Sequence, residues 1–254
     1  MLVQLIGGGW RDDARDAVWG PFLEAGGRRP TVACVVLDEG DGPAQFARWE
    51  TVLRATGACE PVPVLVPEGG RLDVAALADA DALLVCGGLT PAYAAALAPA
   101  AAGVRDWLAD HDRPYAGFSA GAAVAADRAL VGGWREGGVP VCPEDASEDL
   151  DHVSVVDGLG LVPFGIDVHA GAWGTLGRAV AAVTAGHLDR VLAVDEDTAV
   201  TVVDGTATVV GRGAVWWVTR RPGRDGSDAS GGTDRHDVGV VRLVTGERVP
   251  LDLS

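Results

Sequence analysis

The sequence predicts an α/β fold in which a mostly parallel open sheet is flanked by helices. Short apolar runs in the first half of the chain alternate with segments that have a helical pattern. Strands buried on both faces have this continuous apolar character, which is typical of parallel sheets with crossover helices. In the second half, strand-like runs follow one another closely, and this predicts antiparallel strands added in the C-terminal part.

The first half contains five predicted strand–helix units. The strands are rich in β-branched residues and are predicted at 2–6, 31–37, 61–66, 81–86 and 113–118. The helices that follow them are predicted at 12–25, 43–57, 72–79, 90–109 and 119–127.

The second half contains mainly predicted strands, at 153–156, 159–168, 190–195, 199–203, 207–211 and 213–219. One helix is predicted at about 173–187. The stretch TVVDGTATVV places Asp-Gly between two alternating runs, which is a strong hairpin signal. We expect these strands to extend the same sheet.

The domain organisation follows from this pattern. Residues 1–220 are predicted to form a single α/β domain, and 238–254 a C-terminal strand that returns to it. Between them, the stretch 221–237 has almost no apolar side chain to anchor it, which predicts a mobile surface loop.

Composition excludes several partners. The net charge of −16 disfavours nucleic acids and anionic membranes, both of which require a basic surface. No apolar run is long enough for a membrane span, and the N-terminal residues lack the features of a signal peptide. Four separated cysteines fit neither a zinc site nor a disulfide framework. We therefore expect a cytoplasmic protein with reduced thiols, without metal or cofactor.

Ser119 is a candidate nucleophile. It lies between Gly117 and Gly121 in GFSAG, directly after a predicted strand and directly before a helix-favouring stretch. This is the strand–turn–helix setting of a nucleophile elbow, in which the glycines permit a strained turn. The alternative is a tight turn in which Ser119 caps the helix.

His169 is the candidate base. A serine needs a base to become a nucleophile, and His169 follows a strand-like run, so it would emerge at a strand end, where α/β folds place their sites. The other four histidines lie in polar or acidic surroundings that indicate surface positions. A purely structural role for His169 is the alternative.

A second loop of small residues could complete an oxyanion hole. Gly87 and Gly88 follow the predicted strand DALLVC and precede a helix that starts at Thr90-Pro91. We expect this loop to offer one backbone N–H to an oxyanion, beside the free N–H groups at the start of the helix after Ser119. A plain Gly-rich turn is the alternative.

Taken together, several segments resemble the serine peptidase family that includes dipeptidase E and cyanophycinase, whose fold is similar to that of class I glutamine amidotransferases. They are CGGLTPAYAAAL, YAGFSAGAAV, GLGLVPFGIDVHAGAWGTLGR and LAVDEDTAV, spread over about residues 1–220. The resemblance implies a hydrolase that cleaves small peptides next to an aspartyl residue, α- or β-linked, through an acyl-enzyme. A homodimer is compatible with it.

The resemblance also implies site residues. Ser119 would be the nucleophile, His169 the base and then acid, and Glu136 the carboxylate that orients the histidine, with Asp145, Asp157 and Asp167 as alternatives. The N–H groups of Gly88 and Ala120 would be the oxyanion donors, and Gly87, Leu89 and Arg178 would bind substrate. Trp173 could form a wall of the substrate pocket or, alternatively, be a core residue. Leu89 departs from the family, where a polar residue often stands. Arg178 would bind a substrate carboxylate or, alternatively, pair with Asp195 or Glu196.

Two other functional readings are compatible with these residues. One is an esterase of the α/β-hydrolase type, against which stands the short spacing between Ser119 and His169 and the long chain segment that follows the histidine. The other is a non-catalytic binding module of the amidotransferase-like fold.

Overall fold

The computed structural model describes residues 1–221 and 237–251. The predicted loop at 221–237 falls almost wholly outside these ranges, as do the last three residues of the predicted C-terminal strand. No helix in the described part is long and apolar enough to span a membrane.

The described chain contains the following strands: β1 (Leu2–Ile6), β2 (Thr31–Asp38), β3 (Glu60–Pro67), β4 (Ala82–Val85), β5 (Tyr115–Phe118), β6 (Arg128–Gly132), β7 (Arg135–Glu136), β8 (Val139–Pro140), β9 (Ser154–Asp157), β10 (Gly165–Val168), β11 (Arg190–Val194), β12 (Thr198–Val203), β13 (Thr206–Gly211), β14 (Ala214–Arg220), β15 (Val238–Val244) and β16 (Arg248–Val249). Its α-helices are α1 (Arg15–Ala25), α2 (Gly42–Thr56), α3 (Thr90–Leu97), α4 (Ala101–Asp110), α5 (Ala120–Val124) and α6 (Leu176–Thr184).

The main sheet has eight strands in the order β16-β13-β12-β1-β5-β4-β2-β3. The five strands β1, β5, β4, β2 and β3 are parallel to one another. On the other side of β1, each of the strands β12, β13 and β16 pairs antiparallel with the strand before it in this part of the sheet. The predicted α/β class and its antiparallel extension are confirmed. The edge position of β3 follows from its alternating prolines, which lack the N–H that a second neighbour would require.

The expectation that all C-terminal strands extend one sheet is wrong. A second sheet has the order β10-β11-β14-β15, with β10 and β11 parallel. Helix α6 connects β10 to β11, as a parallel crossover requires, and β14 and β15 add to β11 antiparallel. Helix α6 packs against β10, β11 and β14, and it forms a small separate core with residues that include Val191 and Ala193 of β11 and Val218 of β14.

Several predicted elements differ in extent from those in the structure, among them the helices predicted at 119–127 and 173–187, which are the shorter α5 and α6. The helix predicted at 90–109 is divided into α3 and α4 by a short 3₁₀ turn at Ala98–Ala100, because Pro99 cannot continue an α-helix. The segment predicted as a helix at 72–79 is a 3₁₀ turn, Val74–Leu77. The strand predicted at 159–168 is confined to β10, and before it Val162 makes an isolated bridge to Ala126.

Helix α5 packs between strands of the two sheets. All five of its residues are buried, and it packs against β5 of the main sheet and β10 of the second. The carboxyl ends of β5 and β10 are thereby held on either side of one short helix, which is where the candidate site lies.

Candidate active site

Ser119 occupies a strained turn between β5 and α5. Its backbone has φ 51° and ψ −111°, a conformation that is unfavourable for a residue with a Cβ, and its N–H donates to the Ile6 carbonyl at 2.9 Å. A Cβ on Gly117 would collide with the backbone of Gly121, and a Cβ on Gly121 with the backbone of Val85. The turn therefore has the backbone geometry of a nucleophile elbow.

His169 stands in the same relation to the second sheet. It directly follows β10, with φ 56°, and its N–H donates to the Gly7 carbonyl at 3.0 Å. Its Nε2 lies 2.8 Å from the Oγ of Ser119, and both side chains are buried. A Cβ on Gly8 would meet the imidazole ring, so glycine at that position makes room for the histidine.

Glu196 completes the hydrogen-bonded series. Its Oε1 lies 2.9 Å from Nδ1 of His169, the ring nitrogen that does not contact Ser119. Glu196 lies between β11 and β12, which belong to different sheets. Ser119, His169 and Glu196 thus follow β5, β10 and β11, respectively. A hydroxyl, an imidazole and a carboxylate in this order can activate the hydroxyl as a nucleophile.

The structure does not bring Glu136 into contact with His169. Its Oε2 lies 3.0 Å from Nε2 of His187, because β7 pairs with β8 and packs against α6, near whose end His187 lies. The assignment of Glu136 as the orienting carboxylate is therefore wrong, and Glu196 occupies that place. The signal that could have located Glu196 is its position just after a buried strand, in DEDTA.

The alternative carboxylates are also separate from the histidine. Asp157 lies 4.0 Å from Arg128, and Asp145 lines the cavity described below without a hydrogen bond to His169 in the described chain. Asp167 is buried and paired with an arginine.

That arginine is Arg178, which is unavailable to substrate. Its Nε and Nη2 bind the two oxygens of Asp167 at 3.0 and 2.6 Å, and its Nη1 donates to the Ala146 carbonyl at 2.6 Å. The side chain is buried. Both expectations for Arg178, substrate binding and pairing with Asp195 or Glu196, are therefore wrong. It holds β10, α6 and the loop at Ala146 together.

Burial affects the protonation of the histidine. Desolvation lowers the pKa of His169, and the opposing influence of the Glu196 carboxylate does not fully offset this. A neutral imidazole at neutral pH can accept a proton from Ser119, which is the state that a general base requires.

The predicted substrate-binding residues Gly87, Leu89 and Trp173 line one cavity with Ser119 and His169. Trp173 stacks on the imidazole of His169, with ring centroids 3.8 Å apart and planes 8° from parallel, and is half exposed. Gly88 also lines the cavity, with φ 158°. No acceptor among the described residues is bonded to the N–H of Gly88 or of Ala120.

The cavity has a volume of about 700 Å³ and is rich in aromatic and acidic residues. Its aromatic residues besides Trp173 are Trp10, Trp49 and Phe118, and its acidic residues are Glu144, Asp145, Glu148 and Asp149. Glu148 accepts a hydrogen bond from the Thr90 N–H at 2.8 Å, and burial raises the pKa of its carboxyl. No group of His, Cys, Asp or Glu suited to a metal ion occurs in the described ranges.

The fold is one found in solved structures of peptidases. A peptidase from an acI-B1 Actinobacterium has a TM-score of 0.65 and 18% identity, with 98% of this chain and 96% of that chain covered. A putative Peptidase E protein from Listeria monocytogenes EGD-e has a TM-score of 0.55 and 13% identity, with 83% of this chain and 98% of that chain covered. No family model and no curated protein sequence matches the chain.

Proposed function

We propose that this protein is a serine peptidase of the dipeptidase E and cyanophycinase type. The observation that carries the proposal is the continuous hydrogen-bonded series from Ser119 through His169 to Glu196, in which Ser119 and His169 line an open cavity. The similarity in fold to two proteins described as peptidases supports it. So does the strained conformation of Ser119, because such strain is typical of functional positions.

In the proposed reaction, His169 takes the proton of Ser119 as the hydroxyl attacks the scissile carbonyl. The unbonded N–H groups of Gly88 and Ala120 stabilise the oxyanion of the tetrahedral intermediate. His169 then gives its proton to the leaving amine, which leaves an acyl-enzyme on Ser119. Water, activated by His169, hydrolyses this ester. Glu196 orients the imidazole and stabilises its charged form.

The proposed substrates are small peptides cleaved next to an aspartyl residue. This choice rests on the resemblance of the motifs around Ser119 and His169 to the peptidase family, and on the description of one structural neighbour as a putative Peptidase E. The open cavity is of a size suited to a dipeptide. The described cysteines Cys34, Cys59, Cys86 and Cys142 are free. The cytoplasmic location stays a proposal.

A panel of substrates tests the function. Wild type and Ser119→Ala are compared on α-aspartyl dipeptides, a β-aspartyl dipeptide, cyanophycin and a short p-nitrophenyl ester, and both are treated with a fluorophosphonate. We expect peptide hydrolysis and labelling by wild type only. Ester turnover without peptide turnover would favour an esterase. Absence of both labelling and Ser119-dependent turnover would favour a binding module.

A further inference from the structure

Among the described residues, the cavity beside Ser119 is lined by a single arginine and by no lysine, and that arginine is Arg48 of helix α2. Four carboxylates line the same cavity, all from the segment 144–149. Arg178, the arginine expected to bind a substrate carboxylate, is buried against Asp167. A negatively charged group on a substrate therefore has one place in this cavity where it meets a positive charge.

The guanidinium of Arg48 is positioned without an acidic partner. Its Cζ lies 4.8 Å from the ring centroid of Trp10, a cation–π distance. No carboxylate of residues 1–221 or 237–251 lies within 4.0 Å of it, and no hydrogen bond uses its donors within those ranges. By contrast, Arg54, six residues further along the same helix, pairs with Glu50 and Glu60.

The aromatic residues connect Arg48 to the nucleophile. The ring of Trp10 lies 4.8 Å from that of Phe118 and 4.7 Å from that of Trp49, measured between centroids. Phe118 directly precedes Ser119. The tryptophan that carries the guanidinium on one side is therefore in contact with the residue next to the attacking hydroxyl, so a ligand at Arg48 lies along the same wall of the cavity.

From these contacts we infer that Arg48 is the specificity residue that binds a carboxylate of the substrate. The inference rests on the proposed peptidase function and names the group that recognises the substrate's negative charge. A planar guanidinium with open donors binds carboxylates through two parallel hydrogen bonds. The carboxylate is either the aspartyl side chain or the C-terminal carboxylate of a dipeptide. Both have the same chemistry.

The test measures binding separately from turnover. Ser119→Ala protein is titrated calorimetrically with Asp-Leu, with Asn-Leu and with Asp-Leu amide, so that each carboxylate is neutralised in turn. The titrations are repeated with the Arg48→Gln and Arg54→Gln changes added. Arg54 is the control because it gives the same loss of charge on the same helix, away from the cavity.

We expect one of the two neutral analogues to bind about 10-fold more weakly than Asp-Leu, in line with the strength of hydrogen bonds between charged groups. Arg48→Gln should weaken Asp-Leu by the same factor and remove the difference, whereas Arg54→Gln should preserve it. The analogue that loses affinity identifies the carboxylate. Equal binding of all three peptides, failure to bind any of them, or a difference that survives Arg48→Gln would overturn the inference. Binding of this kind without hydrolysis by wild type would instead contradict the peptidase function alone.

Discussion

The Oε1 of Glu196 lies 2.9 Å from Nδ1 of His169, so the carboxylate and the serine hydroxyl contact opposite nitrogens of one imidazole ring. The carboxylate favours the tautomer with a proton on Nδ1, which leaves Nε2 free to accept the proton of Ser119. The orientation of the imidazole thus depends on a residue 27 positions further along the chain.

Two glutamates that both contact a histidine provide a matched pair for testing this arrangement. Glu196→Gln removes the charge next to His169 and should lower kcat/KM by at least 10-fold, because the imidazolium formed in the transition state is no longer stabilised. Glu136→Gln changes only the contact with His187 and should lower kcat/KM by less than 2-fold. Steady-state kinetics on an aspartyl dipeptide measures both. Equal losses would contradict the assignment of Glu196.

The pH dependence should report the buried histidine. Only neutral His169 can act as a base, so kcat/KM falls as the pH drops through its pKa. Burial lowers this pKa, so the acidic limb should lie below the ordinary value for histidine, about 6.5. The Glu196 carboxylate raises the pKa, so Glu196→Gln should move the limb to still lower pH. A limb above the ordinary value, or a shift upwards in the variant, would disagree with this electrostatic account.

The buried pair Arg178–Asp167 should contribute to stability and not to substrate recognition. Arg178→Met leaves the Asp167 carboxylate buried without a counter-charge, and should lower the free energy of unfolding by about 3–5 kcal/mol. The double variant with Asp167→Asn should recover part of this loss. Urea denaturation gives the values. A stable Arg178→Met protein with a raised KM would instead support a role in binding.

Gly8 makes room for the imidazole, and this predicts a steric effect on activity. Gly8→Ala places a methyl group against the ring of His169 and should lower kcat by about 10²-fold, because a small displacement of a catalytic group has a cost of that order.

Gly205→Ala is the control for this substitution. Gly205 also has a positive φ, 73°, but there is open space around it. It should show a loss of stability of about 1–2 kcal/mol from backbone strain with unchanged kcat. A similar loss of kcat in both variants would show that strain alone is responsible.

Local sequence could predict those parts of the site that depend on a strand and the turn after it. The glycines around Ser119 and the apolar run before His169 indicated two strand ends, and the structure brings the two side chains into contact. Their catalytic roles stay predictions. The parallel strands of the main sheet were predictable for the same reason, since each is a continuous apolar run.

The residues whose roles were predicted wrongly have contacts that are set by long-range packing. Nothing near Glu136 indicates that β7 lies against α6, and nothing near Arg178 indicates that its side chain is buried with Asp167, eleven positions earlier. Sequence patterns also did not separate the second sheet from the first, because the apolar pattern of a strand does not indicate which neighbour it pairs with.

Ser119 and His169 directly follow strands of different sheets, and one five-residue helix packs against both of these strands. The distance between Oγ of Ser119 and Nε2 of His169 therefore depends on how the two sheets are positioned relative to helix α5. A perturbation that moves the two sheets apart by about an ångström, such as mild denaturant or a cavity-creating substitution near α5, should abolish turnover while each sheet keeps its backbone hydrogen bonds. Loss of turnover would then precede the spectroscopic signs of unfolding.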